Sequence, residues 1–384
     1  MNNILNKKIA IVGGGPGGLT LARLLQLQGV DVRVYERDAN KDARMQGATL
    51  DLHDESGLKA LRAAGLMDQF LANYRPGADH LRVTDKHANI IIDEDVNKED
   101  EDLSRPEIDR GPLQNILLES LKPGTVIWGS HFVALAPHNN GWQLQFKDGT
   151  SAAADIVIAA DGANSKLRPY VTPIQPFYAG VTAIEGAVYN SAIASPRVHE
   201  LLAGGKIFAF ADGKALIVSS KGDGSLAFYT SFKSDENWSR DCGIDFADKA
   251  QVLDWFKQEY TGWDSIWDEL FANATGRLIP RPQYCMPLDQ TWEALPNLTL
   301  LGDAAHLMPP FAGEGVNMAM LDALELSECL INPNYPDTRA AIAAYEVPML
   351  ARASEIAGIT LHSTDALHSP DAIDFMLAVL SGHQ

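Results

Sequence analysis

A glycine-rich turn near the start of the chain has the spacing of a loop that binds a nucleotide. Gly13, Gly15 and Gly18 form a G-x-G-x-x-G pattern. Glycines at such a turn let the backbone approach a pyrophosphate, and the helix that follows presents free N–H groups to the anion. Glu36 lies 23 residues after Gly13, where an acid can accept hydrogen bonds from ribose hydroxyls. The combination predicts dinucleotide binding, with a plain glycine turn and a solvated glutamate as the alternative.

A single strand–helix–strand unit must hold this turn. Residues 8–12 are an apolar run typical of a buried strand, and apolar side chains recur at helical spacing over residues 19–27 before Gly29. Residues 30–35 alternate valine with other side chains, which predicts a second strand. Two strands joined by a crossover helix lie parallel, so the sequence predicts an α/β domain built on a parallel sheet.

Two later motifs repeat the pattern of a strand, an acidic residue and a rigid turn. Asp161 follows one apolar strand, and Asp303 follows a shorter one. The Asp303 carboxylate can bind a polyol chain, and Pro309 with Pro310 stiffens the loop behind it. The free N–H groups over residues 313–317 begin a further helix, and this positive end suits negative charge on the N1–C2=O edge of a flavin ring.

These three motifs, in this order, resemble those of the single-component, FAD-dependent aromatic hydroxylases of the para-hydroxybenzoate hydroxylase type. Within that family the nearest likeness is to the tetracycline-inactivating flavin monooxygenases. The likeness runs through most of the chain, and the matching segments are residues 34–37, 47–53, 106–110, 126–128 and 302–317. The Asp-Gly and Gly-Asp motifs point to the broad family, whereas segments 49–53 and 309–317 point to the narrower one.

The resemblance implies a Rossmann-like FAD-binding domain with an inserted antiparallel-sheet substrate domain and a C-terminal helix. It implies non-covalent FAD that NADPH or NADH reduces, and a C4a-hydroperoxyflavin that transfers one oxygen atom of O2 to an aromatic or polycyclic phenol or enol. A tetracycline-type compound is one candidate substrate. Because the flavin performs the chemistry, no catalytic side chain is assigned. A flavin-dependent dehydrogenase or oxidase and a non-enzymatic flavin or small-molecule binder are the alternatives.

The resemblance also assigns cofactor contacts to individual residues. Glu36 corresponds to the ribose-binding acid, Arg110 to the arginine at the pyrophosphate and ribityl chain, and Asp303 to the ribityl-binding aspartate. Asp161 corresponds to an aspartate linked to both FAD and the nicotinamide nucleotide. The residues assigned to the cofactor are Gly13, Gly15, Pro16, Gly18, Glu36, Arg37, Arg44, Gly47, Thr49, Arg110, Asp161, Asp303, Pro310, Gly313, Gly315, Val316 and Asn317.

Some of the assigned residues, and some others, also have a purely structural interpretation. Arg110 alone is typical of a surface helix, and Thr49 of a strand edge. His306 is interpreted as a structural or flavin-lining residue, because the sequence indicates no carboxylate partner that would orient it as a base. The acidic segment 93–102 is interpreted as a solvated loop.

The predicted substrate contacts depart from the narrower family. Where those enzymes carry glutamine, arginine and histidine, this chain has Glu185, Lys206 and Ala227, and lysine cannot reproduce a bidentate arginine contact. Glu314 replaces a common glutamine, and Asp374 falls near the position of a phenylalanine that stacks on the drug. The residues assigned to the substrate are Glu185, Lys206, Phe208, Ile217, Ala227, Pro309, Phe311, Ala312 and Gly313. The resemblance to the family therefore predicts the reaction class of this protein better than it predicts the substrate.

The chain is predicted to leave the first domain, build a second sheet and return. The predicted FAD-binding domain comprises residues 1–75, 102–171 and 281–331, the substrate domain residues 76–101 and 172–280, and a C-terminal helical segment residues 332–384. Period-two patterns predict antiparallel strands over residues 206–211, 215–219 and 225–232. Three further strands with hairpin spacing are predicted over 126–128, 132–135 and 142–146. Helices are predicted over 57–71, 112–121, 246–272, 315–331 and 338–367, the last bent at Pro348.

Composition excludes several functional classes. The 384 residues carry 50 acidic and 31 basic side chains, a net charge of −19, which gives no general attraction for nucleic acid or an anionic membrane. Three separated cysteines argue against a disulfide framework, and no Cys/His cluster indicates a metal site. G-x-S-x-G and Walker A motifs are both missing from the sequence. We expect a cytoplasmic protein without a secretory signal or spanning helix, and the sequence leaves its oligomeric state open and compatible with a monomer.

Overall fold

The computed structural model describes residues 4–43, 47, 49–94 and 105–382, so the predicted cofactor residue Arg44 lies outside the described residues. The first sheet is parallel throughout. Its strands, in spatial order, are Leu298–Leu300, Ile156–Ala159, Lys8–Val12, Asp31–Tyr35 and Val126–Ile127. The central strands read as continuous apolar runs because both faces of the sheet are covered.

Helices on this sheet close the main core. The Pro16–Leu27 and Gly315–Ile331 helices pack on each other, and Leu19, Leu21 and Leu326 are fully buried between the layers. This contact brings the glycine-rich loop next to the start of the second helix. Segments some 300 residues apart in the chain therefore meet at one edge of the sheet, where the carboxyl ends of parallel strands form a ligand crevice.

One predicted strand pairing is wrong. The structure pairs Val126–Ile127 in parallel with Asp31–Tyr35, so this strand belongs to the first sheet rather than to a hairpin. The remaining two predicted strands, Phe132–His138 and Gly141–Phe146, do pair antiparallel, and Ser151–Ala154 joins them as a third strand. Spacing along the chain can predict that a segment forms a strand. Which strand it pairs with depends on the apolar surface that the pairing buries in the folded protein.

The second sheet has seven strands and lies over the first domain. In spatial order the strands are Ile279–Cys285, Phe177–Val188, Leu226–Lys233, Lys214–Ser220, Lys206–Ala211, Leu81–Thr84 and Ile90–Glu94. All neighbours are antiparallel except Lys206–Ala211 and Leu81–Thr84. One face packs on the aromatic-rich helices Lys249–Glu259 and Asp268–Ala272, and the other faces the first domain.

The C-terminal helices cover part of the second sheet. The helix Thr338–Leu367 has the predicted bounds and contains Pro348, and Ala372–Leu380 follows it. The predicted helix over 57–71 is two helices, because Gly65 ends the first with a left-handed φ of 68°. The other helices are Ile4–Asn6 (3-10), Gly57–Ala64, Met67–Leu71, Arg110–Glu119, Arg168–Val171, Ser191–Ala194, Pro196–Leu202, Trp238–Asp241 and Asp303–His306. The strands Leu50–Asp51 and Glu107–Ile108 form a small antiparallel pair. Within the described part of the chain we find no helix whose length and hydropathy would suit a membrane span.

Candidate functional site

Two glycines of the N-terminal loop are required by close packing. Gly13 has a φ of 112°, and a Cβ atom there would overlap the carbonyl oxygen of Ala160, which directly follows the neighbouring strand. A Cβ atom at Gly18 would overlap the carbonyl oxygen of Gly13. These contacts hold the first helix tightly against the sheet. The predicted spacing of the loop therefore has a structural cause at both of its ends.

Gly15 differs from its neighbours because its environment is open. Its backbone is extended, with φ −76° and ψ 177°, and no described atom lies within 4 Å of the position a Cβ would take. It directly precedes the helix Pro16–Leu27, whose first turn carries no acidic side chain. A helix start that combines open space with unpaired N–H groups is a site that accepts a phosphate.

Glu36 supports the same loop from the end of the second strand. Its Oε2 accepts a hydrogen bond from the Gly14 N–H at 2.7 Å, and its Oε1 accepts one from the Asp38 N–H at 2.9 Å. The side chain is buried, whereas the neighbouring Arg37 is exposed. The carboxylate thus positions the glycine loop, and contact with a ribose stays a prediction.

Asp303 lies at the point where the third motif meets the helix Gly315–Ile331. Its Oδ1 is 3.9 Å from the Cβ position of Gly315, and the residue remains accessible to solvent although protein surrounds the carboxylate closely. This burial raises the pKa of Asp303, against the opposing charges of His306, Arg110 and Arg168. An accessible carboxylate beside a helix start suits a polyol ligand that donates hydrogen bonds.

Arg168 connects the second and third motifs, and the sequence analysis did not single it out for this role. The guanidinium is buried and donates to the carbonyl oxygens of Ala304 at 2.7 Å and Asp303 at 2.8 Å. Asp161 accepts a hydrogen bond from the Lys166 N–H at 2.7 Å, so it shapes the turn that leads to Arg168. Burial raises the pKa of Asp161. The two motifs are therefore one connected unit behind the crevice.

His306 does have a carboxylate partner, which corrects the sequence interpretation. Its Nε2 lies 2.5 Å from Oδ2 of Asp322, 16 residues further along the chain, and both side chains are buried. Burial by itself lowers the pKa of His306, but the charge and hydrogen bond of Asp322 outweigh it and raise the pKa. Asp322 also accepts from the Gly302 N–H at 2.9 Å and from Arg352 at 2.9 Å. This buried network holds the Gly302–Asp303 turn in place.

The five predicted substrate residues of the second sheet share one face. Glu185, Tyr229, Ile217 and Phe208 lie directly opposite one another in a row across four strands. Ala227, Ser219 and Lys206 form the next row, two residues away along each strand and so on the same face. The structure therefore places these five residues on one face of the sheet, and their contact with a substrate stays a prediction. Tyr229 and Ser219 were missed, although the period-two pattern already places them on this face.

Ion pairs occupy two of the polar positions on this face. Lys206 donates to the buried Glu107, and Arg281 donates to Glu185. Burial raises the pKa of Glu107, with Lys206 opposing the shift. The Cβ position of Gly47 lies 3.0 Å from the Tyr229 hydroxyl, 3.4 Å from Nε of Arg110 and 3.6 Å from Oε1 of Glu185. Arg110 therefore begins its helix at the junction between the two domains.

Aromatic side chains line the remaining part of the junction. Phe311 lies in the loop of residues 309–313 and packs in the same cluster as Phe208 and Phe375. Its ring meets His368 edge to face at 4.9 Å between centroids. The His368 ring is buried and bound on both sides, accepting from Ser231 at 2.8 Å and donating to the Thr364 carbonyl at 2.6 Å. Burial lowers its pKa, so this wall carries a neutral imidazole.

The other predicted residues lie around the same junction. Asn317 is buried and ties the third motif to the segment 51–53: its Oδ1 accepts from the His53 N–H at 2.9 Å and its Nδ2 donates to the Asp51 carbonyl at 2.9 Å. Thr49 adjoins the Glu107 carboxylate. Pro309 is buried, Ala312 and Val316 are half-buried, and Pro310 and Gly313 are exposed. Across the described residues, we find no group of three or more His, Cys, Asp or Glu side chains placed to hold a metal ion.

Comparisons with known proteins agree with this geometry. The family described as "FAD binding domain" matches residues 6–259 and 291–356. The chain is 28% identical to the monooxygenase asqM of Emericella nidulans over 97% of this chain and 98% of that protein. It is also 28% identical to the 6-hydroxynicotinate 3-monooxygenase of Pseudomonas fluorescens, over 93% of this chain and 91% of that protein. The crystal structure of tetracycline destructase Tet(51) shares the fold, with a TM-score of 0.71 and 18% identity over 96% of this chain and 93% of that one.

Proposed function

We propose that this protein uses NADPH or NADH and O2 to hydroxylate a flat phenol or enol. The premise is that the chain belongs to the family described as the FAD binding domain and is an FAD-dependent monooxygenase of aromatic substrates. The observation that carries this proposal is that a polar surface and an aromatic surface lie at the same domain junction. Gly15, Asp303 and the start of the Gly315–Ile331 helix form a polar side. Phe208 and Phe311 form an aromatic side.

The polar side fits FAD group by group. The open position at Gly15 and the helix start behind it suit the pyrophosphate. Asp303 offers an accessible carboxylate for the ribityl hydroxyls, with the Arg110 charge close enough to act on it. FAD, once bound and reduced, would supply the activation of O2, and one oxygen atom of O2 would enter the product. The chain's own residues bind the cofactor, orient the substrate ring and exclude water.

The aromatic side supports a small ring rather than a large polycycle. Phe210 lies on the same sheet face as Phe208, and it is fully buried under Leu367 and Met376 of the C-terminal helices. This part of the face is therefore already covered by the chain itself. Phe208 itself is only partly buried. The name of the relative 6-hydroxynicotinate 3-monooxygenase gives a substrate with one ring, and we expect a ring of that size to bind beside Phe208. The likeness to tetracycline destructase Tet(51) extends to the fold alone.

The first prediction concerns a substitution in the glycine loop that should weaken cofactor binding without affecting folding. Replacing Gly15 by alanine places a methyl group in the open space that we assign to the pyrophosphate. We expect the free energy of unfolding to change by less than about 0.5 kcal/mol, since the backbone there suits any residue. FAD affinity should fall about 10-fold, equivalent to about 1.4 kcal/mol, in a fluorescence titration of apoprotein.

A matched control is Gly358→Ala on the long C-terminal helix, where the new methyl group would meet Leu288 at an ordinary 3.9 Å. Its FAD affinity should equal that of the wild type. Gly18→Ala should instead destabilise the fold, because the Cβ atom overlaps a neighbouring carbonyl oxygen. A Gly15→Ala protein with unchanged FAD affinity would place the pyrophosphate elsewhere.

The second prediction tests the proposed function and its substrate class together. Purified protein should be yellow, release intact FAD on heating, and consume NADPH or NADH in the presence of hydroxylated single-ring aromatics. Mass spectrometry with 18O2 should show one labelled oxygen atom in the product. We expect kcat/KM for a simple phenol or hydroxypyridine to exceed that for tetracycline by at least about 10-fold, because each polar contact that is lost costs about 1–3 kcal/mol.

The outcomes distinguish the alternatives. Substrate oxidation without nicotinamide consumption and without 18O incorporation would identify a dehydrogenase or oxidase. A flavin that stays oxidised with both nicotinamides and with every compound tested would contradict enzymatic turnover. Efficient hydroxylation of tetracycline alone would show that Glu185 and Lys206 form a different set of contacts to the same ring system.

A further inference from the structure

The lysine on the substrate-facing side of the second sheet is already paired within the chain. Lys206 donates to Glu107, whose side chain is only 2% exposed. The charge of the same lysine acts on Asp51, which lies directly opposite Glu107 across the small strand pair. Lys206 and Phe208 are two residues apart on one strand and therefore share a face. One positive charge thus lies between two carboxylates, next to the aromatic side of the junction.

The acidities of these groups keep the lysine neutralised. Burial works to raise the pKa of Asp51, but the hydrogen bond from His53 and the neighbouring positive charges hold it below its usual value. Burial raises the pKa of Glu107, and Lys206 opposes that shift. Asp51 is therefore ionised at neutral pH, whatever the state of Glu107. Lys206 consequently faces at least one charged carboxylate of its own chain.

The other cations near the junction also have acidic neighbours. Arg281, on the edge strand, shares the face of Glu185 and donates to its carboxylate. The charge of Arg110 acts on the cofactor-side carboxylate of the third motif. Arg105 lies 4.0 Å from Oδ2 of Asp51, and its side chain is 61% exposed. A negatively charged substrate would therefore have to displace a carboxylate of the chain from each of these cations.

A carboxylate oxygen, by contrast, is accessible beside the aromatic rings. The Asp51 side chain is 25% exposed, and its Oδ1 lies 3.6 Å from the Cβ position of Gly313. Gly313 belongs to the loop that carries Phe311, and Phe311 packs in the same cluster as Phe208. An ionised carboxylate only accepts hydrogen bonds, so the ligand that it suits is a donor.

We propose that the substrate is an uncharged hydroxylated ring that bears an amide or amino N–H group and no carboxylate. The proposal rests on the proposed function, because it names the substrate class of the same pocket. The ring lies between Phe208 and Phe311, and its N–H group donates to Oδ1 of Asp51. A carboxylate in that place would meet Asp51 and Glu107 without a free cation to offset it, and such a juxtaposition of like charges disfavours a ligand.

The experiment compares two compounds of nearly equal shape. 3-Hydroxybenzamide carries the N–H group without a charge, and 3-hydroxybenzoate carries the carboxylate. Each is titrated into the oxidised, FAD-loaded protein without NADPH or NADH, and the change in the flavin absorbance spectrum gives Kd. We expect the wild type to bind the benzamide at least about 10-fold more tightly than the benzoate. Equal or tighter binding of the benzoate, or binding of neither compound, overturns the proposal.

A variant tests whether Asp51 is the cause of this preference. Asp51→Asn removes the negative charge and keeps the shape, so the preference for the benzamide should shrink to less than about 3-fold. The matched control is Glu269→Gln, which removes the partner of Arg197 on the helices at the opposite face of the sheet. It should keep the wild-type preference. An Asp51→Asn protein that binds FAD and also keeps that preference overturns the role of Asp51. If the variant does not fold, the two compounds with the wild type decide the substrate class.

Turnover separates this proposal from the proposed function. A wild type that prefers the benzamide in binding but oxygenates neither it nor any other ring with NADPH or NADH contradicts the proposed function and supports the charge selection. Oxygenation of 3-hydroxybenzoate with a kcat/KM equal to or above that of 3-hydroxybenzamide contradicts the substrate class and leaves the proposed function standing.

Discussion

Replacing Asp322 by asparagine is expected to lower the free energy of unfolding by about 3–5 kcal/mol, the cost of removing one partner from a buried charge network. Asp322 is completely buried and accepts hydrogen bonds from His306, Arg352 and the Gly302 N–H. Asparagine keeps the shape but removes the negative charge that His306 and Arg352 contact. Urea unfolding followed by circular dichroism measures the loss.

Glu325→Gln is the matched control for this prediction. Glu325 also binds Arg352, through hydrogen bonds of 2.9 and 2.8 Å, but it is partly exposed, so its loss should cost only about 0–1 kcal/mol. Equal stability losses in the two variants would contradict a special role for the buried carboxylate.

The same network has a defined pH window. The pKa of His306 is raised, so its contribution to stability is complete below the ordinary histidine value and disappears as pH rises through the raised pKa. The pKa of Asp322 is lowered against the effect of burial, so its contribution is present above the ordinary aspartate value and disappears as pH falls through the lowered pKa. The wild type should therefore exceed Asp322→Asn in stability most clearly in mildly acidic solution, between the ordinary pKa values of aspartate and histidine.

Replacing Asp303 by alanine should weaken FAD binding about 10–100-fold, because a charge-assisted hydrogen bond to the ribityl chain is worth about 1.5–3 kcal/mol. The side chain is accessible beside the helix start at Gly315, and its removal leaves the backbone contacts of Arg168 in place. Titration of apoprotein with FAD gives the dissociation constant directly.

Asp254→Ala, at an exposed position on the Lys249–Glu259 helix of the second domain, removes the same charge away from the crevice and should leave FAD affinity unchanged. Burial raises the pKa of Asp303, so wild-type FAD affinity should decline on acidification at a higher pH than an ordinary aspartate would give. Asp303→Ala should lack that decline. Normal folding with wild-type FAD affinity would remove Asp303 from the cofactor site.

The sequence by itself determined the parts of this protein that depend on neighbouring residues. The spacing of Gly13, Gly15 and Gly18 between an apolar strand and a helix predicted the nucleotide loop, and the structure gives a packing reason for the first and last of them. Alternation over residues 206–232 predicted three of the seven strands of the second sheet and the face that these three share. Such periodic patterns are local, and each residue contributes to them independently of the rest of the chain.

Strand partners and charge partners were decided only by the tertiary structure. The strand Val126–Ile127 joined the parallel sheet instead of its nearest neighbour in sequence. His306 gained Asp322, and His53 came to lie between Asp51 and Glu314, which is more than 250 residues distant in the chain. Whether an ionisable side chain is a surface charge or a member of a buried ion pair depends on burial and on charges within a few ångströms. Those surroundings exist only after segments far apart in sequence have packed together.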